Sequence, residues 1–440
     1  MKVLFCASYP DQPIGYSRIA NILSNFLADQ NIDVYYFGFS NYKHLKVNRY
    51  INPKIHFIDV LQKESIDVTG TGETRNQRFR RDFQSLELSG TGTGDQLSGK
   101  ENFGTTIICD VVEEIKPDMI FIYNDIIVTC RLFNALQDWK KKFGKTYKML
   151  VYIDLVYKFE KPLYIEYLKN EADFIFVFSD VWKSHLVDDF NFDQKKIEVL
   201  YHGFNQSIFF KVAKHEARKK LGIKLEDFIV LNTNRNTYRK GWDISISSFL
   251  QFYLLTKCDA RVKLLINCKL DSTSGFNIIE LVKISCIKLG LDYNHIINNQ
   301  IIQLPNASEL SDSILNLVYN AVDVGLNTCI GEGFGLCNLE GACLDVPQVV
   351  SYVGGLIDMF SSSVESMTVK PTAVIQCSNL LDDHIGDLEI CDFKDFARKI
   401  YDYYLDEKKR EEDGMRIGET LRNKYGWDKI LDEFKNNLHF

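Results

Sequence analysis

The sequence predicts an α/β protein built from two Rossmann-like, doubly wound parallel sheets in tandem, and three observations carry that prediction. At 440 residues the chain exceeds what one ordinary core holds, so two domains are expected. Short apolar runs alternate with helical patterns in two separate series, which is the rhythm of parallel βαβ units. In the second series the stretch 321–350, AVDVGLNTCIGEGFGLCNLEGACLDVPQVV, reads as strand, glycine-rich turn, helix and strand.

Taken in order, Lys2–Ser8 is a buried strand, followed by a loop with Pro10, Pro13 and Gly15. A helix opens near Ser17, where Ile19, Ala20, Leu23, Phe26 and Leu27 recur at helical spacing. Strands follow at Asp33–Phe39 and 54–60. The rhythm then breaks: residues 68–99 are rich in Ser, Gly and Thr, with two TGTG tracts around a basic core from Arg75 to Arg81. TGTG lacks a following Gly-Lys-Ser/Thr and no strand precedes it, so this is read as a flexible surface insertion and not a P-loop. Order returns with a helix at 105–115, strands at 118–123, 147–153, 173–178 and 197–200, and helices at 128–141 and 181–189. That completes one α/β domain, 1–205. A connection with a lysine-rich helix, 212–221, leads into a second series with strands at Phe228–Asn232, Val262–Ile266, 301–304, 322–327, 349–352 and 373–376. Helices at 244–255 and 277–289 fill the gaps, giving a second domain over 206–420 and a final helix over 421–440 that carries Trp427. In open parallel sheets ligands sit at the carboxyl ends of strands, so the cleft between two such domains is the expected site.

The composition is globular, with 45% hydrophobic and 25% charged residues, and a net charge of −7 argues against nucleic acid as the main partner. Eleven cysteines are scattered without a C-x-x-C, which fits buried free thiols in a reducing compartment. MKVLFCASYP turns polar too soon for a signal peptide, and no window approaches 18 continuous apolar residues, so a cytoplasmic protein is expected. The lysines at 140–142 and 211–220 leave peripheral membrane contact open, although helices this charged are more often simply solvated.

Chemistry concentrates at two strand ends of the second domain. Gly331, Gly333 and Gly335 permit the tight backbone an anion needs to reach main-chain N–H groups, and Gly333, Phe334, Gly335 and Leu336 present such groups at a helix N-terminus. Glu332 and Glu340 frame that turn, and carboxylates suit sugar and ribose hydroxyls because each oxygen accepts strong directional hydrogen bonds. After the domain's first strand, NTNRNTYRKGWD places Arg235, Arg239 and Lys240 at a strand carboxyl end, a charge that suits a diphosphate leaving group. In the first domain Gly15 follows the first strand and Asp154 ends the strand at 147–153, where it is either a polar group on the acceptor side or a loop acid. No G-x-G-x-x-G follows Lys2–Ser8, which disfavours a nicotinamide enzyme. No H-E-x-x-H and no zinc-like His/Cys spacing is present, so no required metal is expected.

Glu332-Gly-Phe-Gly-Leu-Cys-Asn-Leu-Glu340, with Ala342, Pro347-Gln-Val-Val350 and Gly354-Gly355, resembles glycosyltransferase family 4, whose hallmark is two glutamates separated by seven residues. Gly15, Ser179, the His202-Gly203-Phe204-Asn205 turn, Arg235, Lys240-Gly241 and Trp427 agree with it in order. The resemblance covers nearly the whole chain outside 68–99. It implies a GT-B fold of two Rossmann-like domains facing a cleft, with the C-terminal helix returning to the N-terminal domain. It also implies a retaining, metal-independent transferase of hexosyltransferase type. Such an enzyme needs no cofactor, takes a UDP- or GDP-sugar as donor, and has a glycan, lipid or glycoprotein hydroxyl as acceptor. By that resemblance Arg235 and Lys240 grip the diphosphate, Glu340 the ribose, Glu332 the transferred sugar, and Gly15 faces the donor phosphates. Three departures stand out. Asp154 falls where many members carry histidine, Asp345 replaces the glycine usual before the proline, and Asn327-Thr328 replaces a common Pro-Ser. The alternatives on the same architecture are a nucleotide-sugar epimerase and a non-catalytic nucleotide-sugar binder.

Overall fold

The computed structural model describes residues 1–42, 46–64, 103–305, 307, 310–361, 365–377 and 384–439, so the expected insertion at 68–99 lies outside the described residues. The chain forms two compact units. The first, Met1–Leu200 joined by residues 384–386, contains β1 (Lys2–Ser8), β2 (Asp33–Phe39), β3 (His56–Asp59), β4 (Met119–Asp125), β5 (Lys148–Asp154), β6 (Phe174–Val177) and β7 (Ile197–Val199). These form one parallel sheet in the order β3-β2-β1-β4-β5-β6-β7. Helices cover such a sheet on both faces, which is why its inner strands read as unbroken apolar runs: Val3 to Ala7 and Met119 to Tyr123 are all buried. The Gly15–Asp29 helix turns Ile19, Ala20, Leu23 and Leu27 inward at the spacing that betrayed it in the sequence.

The second unit comprises Tyr201–Cys377 and residues 387–439. Its main sheet holds β8 (Phe228–Asn232), β9 (Val262–Ile266), β10 (Ile301–Gln303), β11 (Val324–Asn327), β12 (Gln348–Ser351) and β13 (Thr368–Val369). The order is β10-β9-β8-β11-β12-β13, again parallel throughout. Each sheet therefore reverses direction once, between β1 and β4 in the first and between β8 and β11 in the second. Those reversals are where ligand crevices open at strand carboxyl ends.

Two expectations change. The run 373–376 is not a strand of the main sheet; it lies in β14 (Pro371–Cys377), which pairs only with β15 (Gly386–Cys391) in a separate two-stranded sheet. Its middle residues are exposed, so its Val374 and Ile375 mimic a core strand in sequence without being one. The sixth place in the main sheet goes instead to the two-residue β13. Tyr201–Asn205, expected in the first domain, belongs to the second unit. The final helix, Trp427–Asn436, is grouped with the second unit. The reason is local pairing: Phe204 bridges to Gly426, Phe204 N–H donates to the Tyr425 carbonyl at 2.7 Å, and the Trp427 indole lies against Gly203. Among the described residues no helix is long and apolar enough to cross a membrane.

Candidate functional site

The residues singled out in the second domain meet at its sheet reversal. β8 ends at Asn232 and β11 at Asn327, and the two strands are neighbours, so the loops that leave them are held side by side. Buried polar side chains tie those loops together. Asn232 Nδ2 donates to Ser245 Oγ at 2.8 Å, Ser245 Oγ pairs with Thr328 Oγ1 at 2.6 Å, and Thr328 Oγ1 donates to the Gly241 carbonyl at 2.8 Å. Gly241 has φ +58°, and a Cβ there would overlap the Thr328 carbonyl oxygen, so only glycine brings the two loops this close. Trp242 is fully buried behind it, its indole donating to the Arg235 carbonyl at 3.1 Å.

The glycine turn is supported from below by a second buried ladder. Asn327 Nδ2 donates to Asn338 Oδ1 at 2.7 Å, Asn338 Nδ2 to Gln348 Oε1 at 3.0 Å, and Gln348 Nε2 to the Val346 carbonyl at 2.9 Å. The Asn327-Thr328 pair that departs from the family pattern thus supplies one rung to each network. Gly335, at φ +94°, is the N-cap of the Leu336–Cys343 helix, and no side chain caps that terminus. A Cβ on Gly335 would overlap Leu356, in the Gly355–Phe360 helix packed beside the turn. Gly355 N–H in turn donates to the Glu332 carbonyl at 3.0 Å. The result is a helix terminus without a side-chain cap, the kind of end that suits an anion.

Glu332 is buried at 6% exposure and is not a solvated capping acid. Its Oε2 accepts from Lys240 Nζ and its Oε1 from Arg239 Nη1 at 3.3 Å. Burial pushes its carboxyl up, but the Lys240 and Arg239 charges and hydrogen bonds outweigh this and bring it down to about 2. Glu340, buried at 3% exposure on the helix that follows, accepts from the Tyr319 hydroxyl at 2.8 Å. Phe334 is buried between His202, at 4.8 Å, and Tyr425, at 5.6 Å. Burial holds the His202 imidazole down at about 3, so that ring is neutral near neutral pH.

Of the three basic residues in the loop, the structure brings Lys240 and Arg239 to Glu332; Arg235 is exposed and contributes its carbonyl to Trp242. Gly15 and Asp154 lie in the first unit. Gly15 opens the Gly15–Asp29 helix, whose N-cap Ile14 offers no side-chain acceptor, and the next residue, Tyr16, donates its hydroxyl to Asp154 Oδ2 at the end of β5. Burial, with Asp154 second, raises the Tyr16 hydroxyl well above its ordinary value. Asp345 stands at φ +64°, the left-handed region, which is the physical reason a glycine is usual there. Here the carboxylate accepts from Arg422 at 2.6 Å and pairs with Lys211. Lys140 pairs with Glu171 at 2.6 Å and Lys214 with Asp323 at 2.9 Å, so both lysine clusters spend charge within the fold. Among the described residues no group of three or more His, Cys, Asp or Glu side chains is placed to hold a metal ion.

Tyr319, Tyr16 and the Asn338–Gln348 ladder went unnoticed in the sequence. Tyr319 sits in the Asp312–Ala321 helix, 21 residues before the carboxylate it holds, and nothing in local spacing joins the two.

Residues 312–434 match a family model described as family 4 glycosyltransferase in conflict systems. An uncharacterized glycosyltransferase of Methanocaldococcus jannaschii is 25% identical over 212 residues, 47% of this chain and 50% of that protein. The chain spans about half the length of the curated relatives it matches. A sucrose-phosphate synthase from Thermosynechococcus elongatus has the same fold, with a TM-score of 0.69 at 15% identity over 100% of this chain and 98% of that one. The Anabaena protein HepE, crystallised in complex with UDP-glucose, superposes with a TM-score of 0.65 at 14% identity over 100% of this chain and 99% of its own.

Proposed function

Taking the chain as a family 4 glycosyltransferase of GT-B fold, we propose that it transfers a sugar from a nucleoside-diphosphate sugar to an acceptor hydroxyl, with retention at the anomeric carbon and without a required metal. The observation that carries this reading is the Glu332 carboxylate, buried against Lys240 and Arg239 beside an uncapped helix terminus. A diphosphate takes the N–H groups of Gly335 and Leu336 together with the Lys240 ammonium. Glu332 accepts from hydroxyls of the transferred sugar, and Glu340, oriented by Tyr319, from the ribose. Arg235, exposed on the same loop, serves the outer phosphate. Gly15 keeps the role that the resemblance implies, facing the donor phosphates, and Asp154 keeps the reading from its strand-end position, a polar group on the acceptor side.

In the reaction the bond from the anomeric carbon to the phosphate oxygen breaks, and the acceptor oxygen bonds to the same face of that carbon. The departing phosphate oxygen takes the acceptor proton, so no strong side-chain base is needed. Fixed positive charge at the diphosphate stabilises the leaving group where negative charge develops. UDP is put first among donor bases because the similar Anabaena protein is described with UDP-glucose. The acceptor is a glycan, lipid or glycoprotein hydroxyl, and the protein works in the cytoplasm.

The test is a thermal-shift panel of UDP, GDP, ADP and dTDP, then incubation of the full chain with labelled UDP- and GDP-sugars, with and without a chelator. One nucleotide at about a hundred times its dissociation constant should stabilise by roughly 2.7 kcal/mol. The matching sugar donor should be transferred or slowly hydrolysed with retained anomeric configuration, equally in the presence of chelator. Recovery of an intact, epimerised donor would establish an epimerase, and a shift without turnover a binding protein. No shift with any nucleotide removes the donor reading.

A further inference from the structure

Arg239 stands outside the residues to which the family resemblance gives a role, yet the structure fastens the glutamate turn to it three times. Its carbonyl accepts from Ile330 N–H at 2.9 Å, its Nη1 donates to the Gly331 carbonyl at 2.8 Å, and the same Nη1 donates to Glu332 Oε1 at 3.3 Å. Three successive residues of the turn are therefore bonded by one residue of the neighbouring loop. On the other side Glu389 N–H donates to the Ile330 carbonyl at 3.0 Å. The loop that carries Arg239 is itself anchored: Asn236 Nδ2 donates to the Lys269 and Phe276 carbonyls at 3.0 and 2.6 Å, and Asn236 Oδ1 accepts from Phe276 N–H at 2.9 Å.

We infer that Arg239 is the positioning residue of the donor site, holding the Glu332 carboxylate ionised and in place while Lys240 is shared with the diphosphate. This rests on the reading of the site as one for a nucleotide sugar. The two cations differ in what they can do. Lys240 is an ammonium with three rotatable donors on a flexible stem, able to turn part of its charge toward a phosphate. Arg239 is a planar fork with one nitrogen committed to a main-chain carbonyl, so it cannot follow the anion without breaking the turn. A buried carboxylate that lost its cations would take up a proton and change from acceptor to donor. With Arg239 in place it remains an acceptor for sugar hydroxyls, and Arg239 need not touch the donor.

Calorimetric titration of wild type, Arg239→Gln and Arg239→Lys with UDP and with UDP-glucose, at several pH values, tests this. Arg239→Gln should bind UDP within about threefold of wild type and lose about tenfold for UDP-glucose, a difference of about 1.4 kcal/mol. That loss should deepen as the pH falls toward about 5, because an undersupported carboxylate protonates, and Arg239→Lys should recover most of it. Loss of UDP affinity as large as the loss for UDP-glucose would overturn the inference and make Arg239 a phosphate ligand. A loss that is the same at every pH and not relieved by lysine would overturn it in favour of plain packing. If Arg239→Gln does not fold, Arg239→Lys decides: a pH-dependent loss in that charge-preserving variant refutes the inference, and pH-independent binding of UDP-glucose near wild type supports it. Binding of neither ligand by wild type falls on the donor reading itself, and the inference goes with it.

Discussion

Replacing Lys240 by methionine removes the ammonium and keeps most of the side-chain volume, so the consequence is electrostatic. The Lys240 and Glu332 side chains are 9% and 8% exposed, and breaking a buried pair by removing one partner costs about 3–5 kcal/mol because the other charge is stranded. Arg239 remains at 3.3 Å from Glu332 Oε1, which places the expected cost near the lower end, about 3 kcal/mol. For a unit of this size that is a fall in melting temperature of roughly 6–12 °C. The sign of the pH dependence follows from Glu332. Its folded-state value, about 2, lies below that of the unfolded chain, so its contribution is present above about pH 4.3 and lost as the pH falls through about 2. Lys240 supplies the leading share of that depression, so the gap between wild type and Lys240→Met should be widest near neutrality and should narrow between about pH 5 and pH 2. Urea titrations followed by Trp fluorescence across that range measure it, with the buried Trp242, two residues on, as a local probe. A variant within about 1 kcal/mol of wild type at pH 7, or a gap unchanged on acidification, would refute the reasoning.

Two further outcomes follow from the same geometry. Tyr319→Phe removes the hydroxyl that donates to the buried Glu340 carboxylate and should cost about 1–3 kcal/mol of stability together with nucleotide affinity, while the nucleotide-affinity loss of Tyr319→Phe combined with Glu340→Gln should fall well short of the sum of the single losses; additive losses in a double-mutant cycle would show that the hydroxyl does not act through Glu340. Gly335→Ala meets both a left-handed backbone and the Leu356 side chain, so a destabilisation of about 1–3 kcal/mol with weakened diphosphate binding is expected, and a stable variant with unchanged binding would contradict the role of the turn.

Much of the architecture was legible because parallel strands covered on both faces leave unbroken apolar runs, and helices leave a 3.6-residue stripe. Lys2–Ser8 and Phe228–Asn232 appear in the structure with the bounds read from the sequence. Sequence and structure differ where apolarity and burial part company. Val374 and Ile375 look like a core strand and lie exposed on a two-stranded sheet, while β13, too short to leave a pattern, takes the place in the main sheet. Glu332 and Glu340 were legible as a pair because their spacing and flanking glycines are local in sequence. Which arginine stands beside Glu332 was not: Arg235 and Arg239 lie four residues apart on one irregular loop, and the direction each points depends on the short 3-10 turn at Tyr238–Lys240.

The sequence by itself determined the two βα series, the glycine turn with its two glutamates and the basic loop, because each of these is encoded in residues a few positions apart. Only the tertiary structure decided that β8 and β11 are neighbours, since strand order is set by pairings between residues some 90 positions apart that no local pattern records. That adjacency is what buries Glu332 against Lys240 and Arg239, converting an acid that would be solvated on an isolated turn into a charge that must be held. It also sets the Arg239 guanidinium, and not that of Arg235, against the turn.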